Sequence, residues 1–92
     1  YIDYDGDRIK DIQNVLLNYY SKEPFVKWNF KDPQKLSNVQ GTNNISINVF
    51  SDYEKKRIMI ISCLDNLIKG AAGQAIQNMN IMFNFAETEA LL

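Results

Sequence analysis

The spacing of the apolar residues changes in the second half of the chain, and this change constrains the fold more than any other feature. Ile45, Ile47 and Val49 alternate with polar residues, which is typical of a half-buried β-strand. Residues 58–63 then form a nearly continuous apolar run, separated from the first stretch by the polar residues 52–55. This pattern predicts a β-hairpin whose second strand is buried on both faces.

From Asn66 to about Phe83 the apolar residues recur at helical spacings, which predicts an amphipathic helix. Its apolar arc is wide, because two adjacent rows of residues contribute to it. The first row is Leu67, Ala71, Ala75, Met79 and Phe83, and the second row is Ile68, Ala72, Ile76 and Met82. We therefore expect this helix to be buried on more than one side, against the sheet and a second surface.

The first half of the chain predicts shorter elements. Residues 1–4 alternate as in a strand, and Asp7 is the expected N-cap of a helix over 8–20. A brief strand is expected at 25–28, followed by a long loop over 29–43. The resulting order, β-α-β-β-β-α, predicts an α+β fold with a mostly antiparallel sheet and two helices packed on it.

The composition excludes several classes of function. A chain of 92 residues forms one domain, residues 1–92, with a small core. The net charge of −1 and the lack of a long apolar run predict no nucleic-acid partner and no membrane span. With no His and a single Cys, a self-contained Ser-His-Asp, Cys-His or His-zinc site is excluded. Because the chain opens at Tyr1 without Met, we expect it to be a piece of a longer protein.

Small residues and two polar residues mark the start of the second helix. Gly70 and Gly73 lie in its first two turns, where each costs roughly 0.5–1 kcal/mol relative to Ala. With the neighbouring alanines they leave a patch that another helix or a flat ligand can approach closely. Asp65 and Asn66 stand where backbone N–H groups converge and hold polar groups readily. The residues alone leave two interpretations open, a capped helix with a packing patch and a ligand site.

Four blocks, in order along the chain, resemble the C-terminal part of N-acetyl-gamma-glutamyl-phosphate reductases. The most specific block is residues 65–80, DNLIKGAAGQAIQNMN. Residues 20–26, YSKEPFV, and residues 39–43, VQGTN, resemble that family's Y-x-x-E-P-F-V block and its V-x-G-[ST]-N loop. Residues 85–91, FAETEAL, resemble its final F-x-E-T-x-G-L, with Ala90 in place of Gly.

This resemblance implies a two-domain reductase of arginine biosynthesis, of which the chain is the last quarter. In that family a Rossmann domain binds the cofactor NADP, as NADPH, and a second domain similar to that of glyceraldehyde-3-phosphate dehydrogenase forms the subunit contacts. A cysteine thiolate attacks N-acetyl-glutamyl 5-phosphate, and hydride reduces the thioester to the semialdehyde while a His assists proton transfer. The implied protein is a cytoplasmic homo-oligomer. The chain itself lacks the Gly-rich turn, the nucleophile block and the His, so we expect it to be catalytically silent alone.

The resemblance assigns the cofactor-binding residues of this chain to Asn66, Asp65 and Gly70, with no catalytic residue and no metal ligand. Asn66 would contact the nicotinamide carboxamide, and the alternative role is a helix cap. Asp65 is expected to fix the turn through backbone amides, while Gly70 provides either clearance for the cofactor or close packing. Lys69 is expected to contact a phosphate or to be solvated. Cys63 is expected to be an inert thiol in a buried strand rather than the nucleophile.

Two alternatives to this assignment stay open. One is a stand-alone α+β module for oligomerisation or ligand sensing, without redox activity. The other is the equivalent piece of an aspartate-semialdehyde dehydrogenase, a family that shares the Asp-Asn-Leu and Gly-Ala-Ala core. Residues 73–75 and 77–80 favour the acetylglutamyl-phosphate enzyme. The loop over 41–43 is expected to face either the active site or a subunit interface.

Overall fold

The second half of the chain forms the hairpin and the helix that the apolar pattern predicts, and the first half adds one helix and two short strands. A computed structural model of the protein describes residues 1–3, 9–28, 35–52, 54 and 56–91. Its elements are β1 (Ile2–Asp3), α1 (Ile9–Tyr20), β2 (Val26–Trp28), a 3₁₀ turn (Leu36–Asn38), β3 (Ile45–Asp52), β4 (Arg57–Leu64), a π turn (Ile68–Ala72) and α2 (Gly73–Met82). The predicted element order and the α+β class are confirmed. Asp7 and the first part of the long loop lie outside the described residues.

The four strands form one mixed sheet in the order β1-β4-β3-β2. β3 and β4 pair antiparallel along their whole length, with Val49 opposite Ile60. β1 pairs antiparallel with β4, but β2 lies parallel to β3, with Val26 opposite Ile45. The prediction of a mostly antiparallel sheet is therefore wrong. The reason is that β3 begins beside the start of β2, so that the two strands run in the same direction, an arrangement that needs a long connection between them.

Helix α1 packs on the sheet through the apolar stripe that its sequence predicts. Ile9, Ile12 and Leu16 are half-buried, whereas Tyr19 lies on the solvent side. Gln13 on the same stripe donates a long hydrogen bond of 3.5 Å from its side-chain nitrogen to the carbonyl of Val49 in β3. The core is small: among the described residues, the fully buried apolar side chains are Phe25, Val39, Val49 and Ile58.

β4 is less buried than its apolar sequence predicts. Ile58 is fully buried, but Ile60 and Ile61 are 40% and 39% exposed, and Ser62 is exposed too. Neighbouring residues of a strand point to opposite faces, so both faces of the sheet are open at this level. β1 pairs with β4 only as far as Ile58, and beyond that point β4 has β3 as its one partner among the described strands. The prediction of a strand buried on both faces is therefore wrong.

The last helix starts with a wide turn. The backbone N–H of Gly70 donates to the carbonyl of Asp65, and that of Gly73 donates to the carbonyl of Ile68. These bonds span five residues instead of the usual four, which makes residues 68–72 a π turn that runs directly into α2. None of the described helices is both long and apolar enough to cross a membrane.

Helix α2 does not pack on the sheet as predicted. Among the described residues, its main contacts are with the π turn before it, while α1 is the helix that contacts β3. Much of its apolar arc is open, with Met82 77% and Phe83 65% exposed. The prediction that this helix is buried on more than one side is therefore wrong for this chain. The molecule is elongated, with extents of 46 × 24 × 19 Å.

Candidate functional site

The loop at 39–43, the turn after β4 and the start of the last helix meet at one end of the molecule. Asp65 holds them together, because its carboxylate accepts a 2.8 Å hydrogen bond from the backbone N–H of Gly41 and a 2.9 Å bond from that of Leu67. Gly41 has φ +76°, a conformation that side chains with a Cβ rarely adopt. Asp65 therefore fixes the turn through backbone amides, as its position in the sequence predicts.

These hydrogen bonds also set the charge of Asp65. The amides of Gly41 and Leu67 stabilise the ionised carboxylate and hold its pKa below the usual range for aspartic acid. The group is therefore a carboxylate at any pH near neutrality. Both of its oxygens are engaged with the protein, so Asp65 supports the site and does not supply a proton to it.

The side chain of Asn66 lies over the Cα of Gly70, one turn along the chain. A Cβ at position 70 would meet the side-chain oxygen of Asn66, and its Cγ would be 3.2 Å away. Asn66 is exposed, and its carboxamide makes no hydrogen bond with the other described residues. Its donor and its acceptor are both available to a ligand.

Asn66 borders an open cleft. The cleft has a volume of about 290 Å³ and lies between the 3₁₀ turn and the end of β4. Its lining residues are Leu36, Gln40, Leu64, Asp65, Asn66 and Leu67. Of the polar groups in this lining, the carboxylate of Asp65 is already bound to backbone amides, whereas the side-chain amides of Asn66 and Gln40 are exposed and can recognise a polar group entering the cleft.

Gly73 allows the 39–43 loop to approach the helix closely. A Cβ at this position would lie 2.7 Å from the carbonyl oxygen of Ile68 and would also meet the side-chain oxygen of Asn43. Asn43 is 1% exposed, and its side-chain nitrogen donates a 3.0 Å hydrogen bond to the side-chain oxygen of Gln77. The structure therefore shows close packing at Gly73, one of the two interpretations of the small-residue patch.

Gln77 is the centre of a network of polar side chains next to the site. Its side-chain oxygen accepts bonds from Asn43 and from the ammonium of Lys69, at 3.0 and 2.6 Å, and its side-chain nitrogen donates to Glu87 at 2.8 Å. One step further along, the buried Asn80 donates to the carbonyls of Glu87 and Glu89. This network joins the loop, the helix and the C-terminal tail.

The sequence alone does not predict the hydrogen bonds of Asn43, Gln77 and Asn80, although each residue lies within one of the motif blocks. The sequence feature that could have identified these residues is their side-chain amide group. Such groups are rarely buried without partners, and two of the three lie in the last helix beside apolar residues.

Lys69 is half-buried, and its ammonium is held by other side chains of the protein. Its ammonium lies 4.9 Å from the centre of the Phe25 ring and donates to Gln77. Burial lowers the pKa of this lysine from its usual value, and the nearby carboxylate of Glu87 partly opposes that effect. A freely solvated lysine, one of the two expectations, does not describe this position, while contact with a phosphate stays a prediction. Its main role here is to link the helix start to the core.

Cys63 lies in β4 opposite Ser46 and is half-buried as a free thiol. No group of three or more potential metal ligands occurs within the described residues. In this part of the chain the site therefore consists of a carboxamide, a carboxylate bound to backbone amides, and a cleft.

Comparison with known proteins agrees with the motif blocks. A family model for the semialdehyde dehydrogenase dimerisation domain matches residues 1–66. The chain is 47% identical to a protein of Methanosphaera stadtmanae over 88% of its length, 46% identical to one of Clostridium kluyveri over 90%, and 47% identical to one of Methanocaldococcus jannaschii over 95%. All three are named N-acetyl-gamma-glutamyl-phosphate reductase. The chain spans about a quarter of their length, from 24% to 25%.

Proposed function

The chain belongs to the semialdehyde dehydrogenase dimerisation-domain family, and from this premise we propose that it is the C-terminal part of an NADPH-dependent reductase. The proposed reaction converts N-acetyl-glutamyl 5-phosphate to N-acetyl-glutamate 5-semialdehyde in arginine biosynthesis. The observation that carries the proposal is the similarity over most of the chain to three proteins named as this reductase. A cytoplasmic location stays a prediction from the resemblance.

The shape of the chain supports its being part of a larger domain. A compact domain of this length has a radius of gyration of about 12 Å. The observed value is 15.2 Å, the core is small, and the apolar arc of α2 is open. We propose that the complete domain resembles that of glyceraldehyde-3-phosphate dehydrogenase. The family description as a dimerisation domain supports a homo-oligomer.

The residues at the cleft fit the nicotinamide end of NADPH. The nicotinamide carboxamide has one donor group and one acceptor, which the free carboxamide of Asn66 matches. Asp65 holds the turn on which Asn66 stands, and Gly70 leaves room for the Asn66 side chain. When bound, NADPH supplies the hydride for reduction of the acyl group. In this proposal, the role of this chain is to orient the nicotinamide through the side chain of Asn66.

An activity assay on the full-length protein tests the proposed reaction. The open reading frame is extended upstream, and the product is assayed for loss of NADPH absorbance with N-acetylglutamyl phosphate and, as a matched comparison, with aspartyl phosphate. We expect oxidation with the acetylated substrate. A preference for aspartyl phosphate would instead support an aspartate-semialdehyde dehydrogenase, and a start codon directly before Tyr1 would support a stand-alone module.

A pair of asparagine variants tests the cofactor role. We expect Asn66→Ala to raise the Michaelis constant for NADPH while the protein stays folded. Asn78→Ala removes an exposed carboxamide in α2, outside the cleft, and serves as the control. The isolated 92 residues should show no NADPH binding in titration calorimetry, since the rest of the cofactor site lies outside them. Equal constants for wild type and Asn66→Ala would refute the assignment.

A further inference from the structure

The orientation of the Asn66 side chain depends on the residue one turn further along the chain. The backbone around Asn66 is fixed from both sides, because Asp65 accepts hydrogen bonds from Gly41 and Leu67. The carboxamide itself makes no hydrogen bond with the other described residues. Its side-chain oxygen instead occupies the space beside the Cα of Gly70, where the Cβ of any other residue would lie.

The missing Cβ of Gly70 leaves the space that the Asn66 carboxamide occupies. A Cβ built on Gly70 would overlap the side-chain oxygen of Asn66, and it would lie 3.2 Å from Cγ and 3.6 Å from the Cβ of Asn66. Since the overlapping group is the end of an exposed side chain, it would rotate away and the helix would stay intact. Any residue other than glycine at position 70 therefore changes the direction of Asn66.

Gly70 is not required for the π turn itself. Its backbone N–H donates to the carbonyl of Asp65, and alanine would make the same bond. In an ordinary helix alanine would be the more stable residue, by about 1 kcal/mol. No close packing against a neighbouring element is seen either, because the three atoms nearest to a Cβ there all belong to Asn66.

We propose that Gly70 is a positioning residue, which sets the direction of the Asn66 carboxamide toward the nicotinamide of NADPH and does not itself contact the cofactor. The proposal rests on the proposed function, because it takes NADPH as the ligand of Asn66. It replaces direct cofactor clearance at Gly70 with an indirect effect that passes through one side chain.

A double-mutant cycle on the full-length enzyme tests this role. The dissociation constant of NADPH is measured by fluorescence titration for wild type, Asn66→Ala, Gly70→Ala and the double variant. Loss of one hydrogen bond between neutral groups weakens binding by about threefold to tenfold, and we expect each single variant to show this change. The double variant should bind like Asn66→Ala, because there is no carboxamide left for a Cβ to displace.

The outcomes separate the two claims. If Asn66→Ala weakens binding but Gly70→Ala does not, or if the two effects add, the positioning role of Gly70 is wrong. If Asn66→Ala leaves the dissociation constant unchanged, the cofactor role of Asn66 is wrong. A crystal structure of Gly70→Ala provides a readout independent of the cofactor: the Asn66 carboxamide should have left its place above residue 70, and an unmoved side chain would refute the inference directly.

Discussion

Replacing Gly73 by alanine should destabilise the protein, although alanine is the better helix former. In a regular helix the exchange gains about 1 kcal/mol. Here the new Cβ would lie 2.7 Å from the carbonyl oxygen of Ile68 and 2.8 Å from its Cγ2, well inside normal contact distances. It would also overlap the side-chain oxygen of Asn43, which is buried and cannot rotate into solvent.

The expected loss follows from these contacts. Overpacking in a closely packed region costs about 1–3 kcal/mol, and displacing Asn43 from Gln77 costs about 1 kcal/mol more. After subtraction of the helix gain, Gly73→Ala should lower the free energy of unfolding by about 1–3 kcal/mol. The matched control is Gly70→Ala, which has the same helix gain but meets only the exposed end of Asn66. We expect the control to be as stable as wild type or more stable, by up to about 1 kcal/mol.

The measurement is urea unfolding followed by circular dichroism. A shift in the midpoint at constant slope reports a change in stability alone. The reasoning is refuted if Gly73→Ala unfolds at the same or a higher urea concentration than wild type. It is equally refuted if the two variants shift together, since helix propensity would then explain both.

Three further predictions follow from the site and its surroundings. The lowered pKa of Asp65 means that its contribution to stability is present above the ordinary pKa of about 3.9 and is lost as pH falls through the folded value. Asp65→Asn should therefore show a smaller loss of stability between neutral and acidic pH than wild type in urea unfolding, and equal pH dependence would contradict this. Asn80→Ala removes two hydrogen bonds, of 3.1 and 3.0 Å, to the C-terminal tail and should cost about 1–3 kcal/mol, with faster amide hydrogen exchange at residues 87–91. Cys63→Ala should leave the turnover of the full-length enzyme nearly unchanged, and loss of turnover would make this thiol part of the chemistry.

The elements of the fold could be predicted where the signal is local. The alternation around Ile47 and the stripe of α1 depend on neighbours in sequence, and both elements formed as predicted. The parallel pairing of β2 with β3 could not be predicted, since it depends on the path of the long connection between them. The burial of β4 was overestimated because an apolar sequence shows only that a strand can be buried. It does not show whether another element covers Ile60 and Ile61.

The candidate site likewise combines contacts that could be predicted from local sequence with contacts that could not. The role of Asp65 could be predicted because the amide of Leu67 is two residues away and the helix start is recognisable from sequence. The bond from Gly41, 24 residues earlier, could not. The network at Gln77 joins residues that are 34, 8 and 10 positions apart, and no periodicity encodes such a set. The four motif blocks contain these residues, but a sequence motif does not show which side chains they contact.

The π turn makes the number of residues in this region as important as their identity. Each residue of an α-helix turns the chain by about 100°. Deleting one residue between Ile68 and Ala72 would allow ordinary helical bonds, but it would rotate Asn66 by about that angle relative to Gln77 and α2. The carboxamide could then no longer lie beside the cleft while the polar network keeps its present partners. This stretch should therefore accept many substitutions on its exposed side and yet tolerate no change of length.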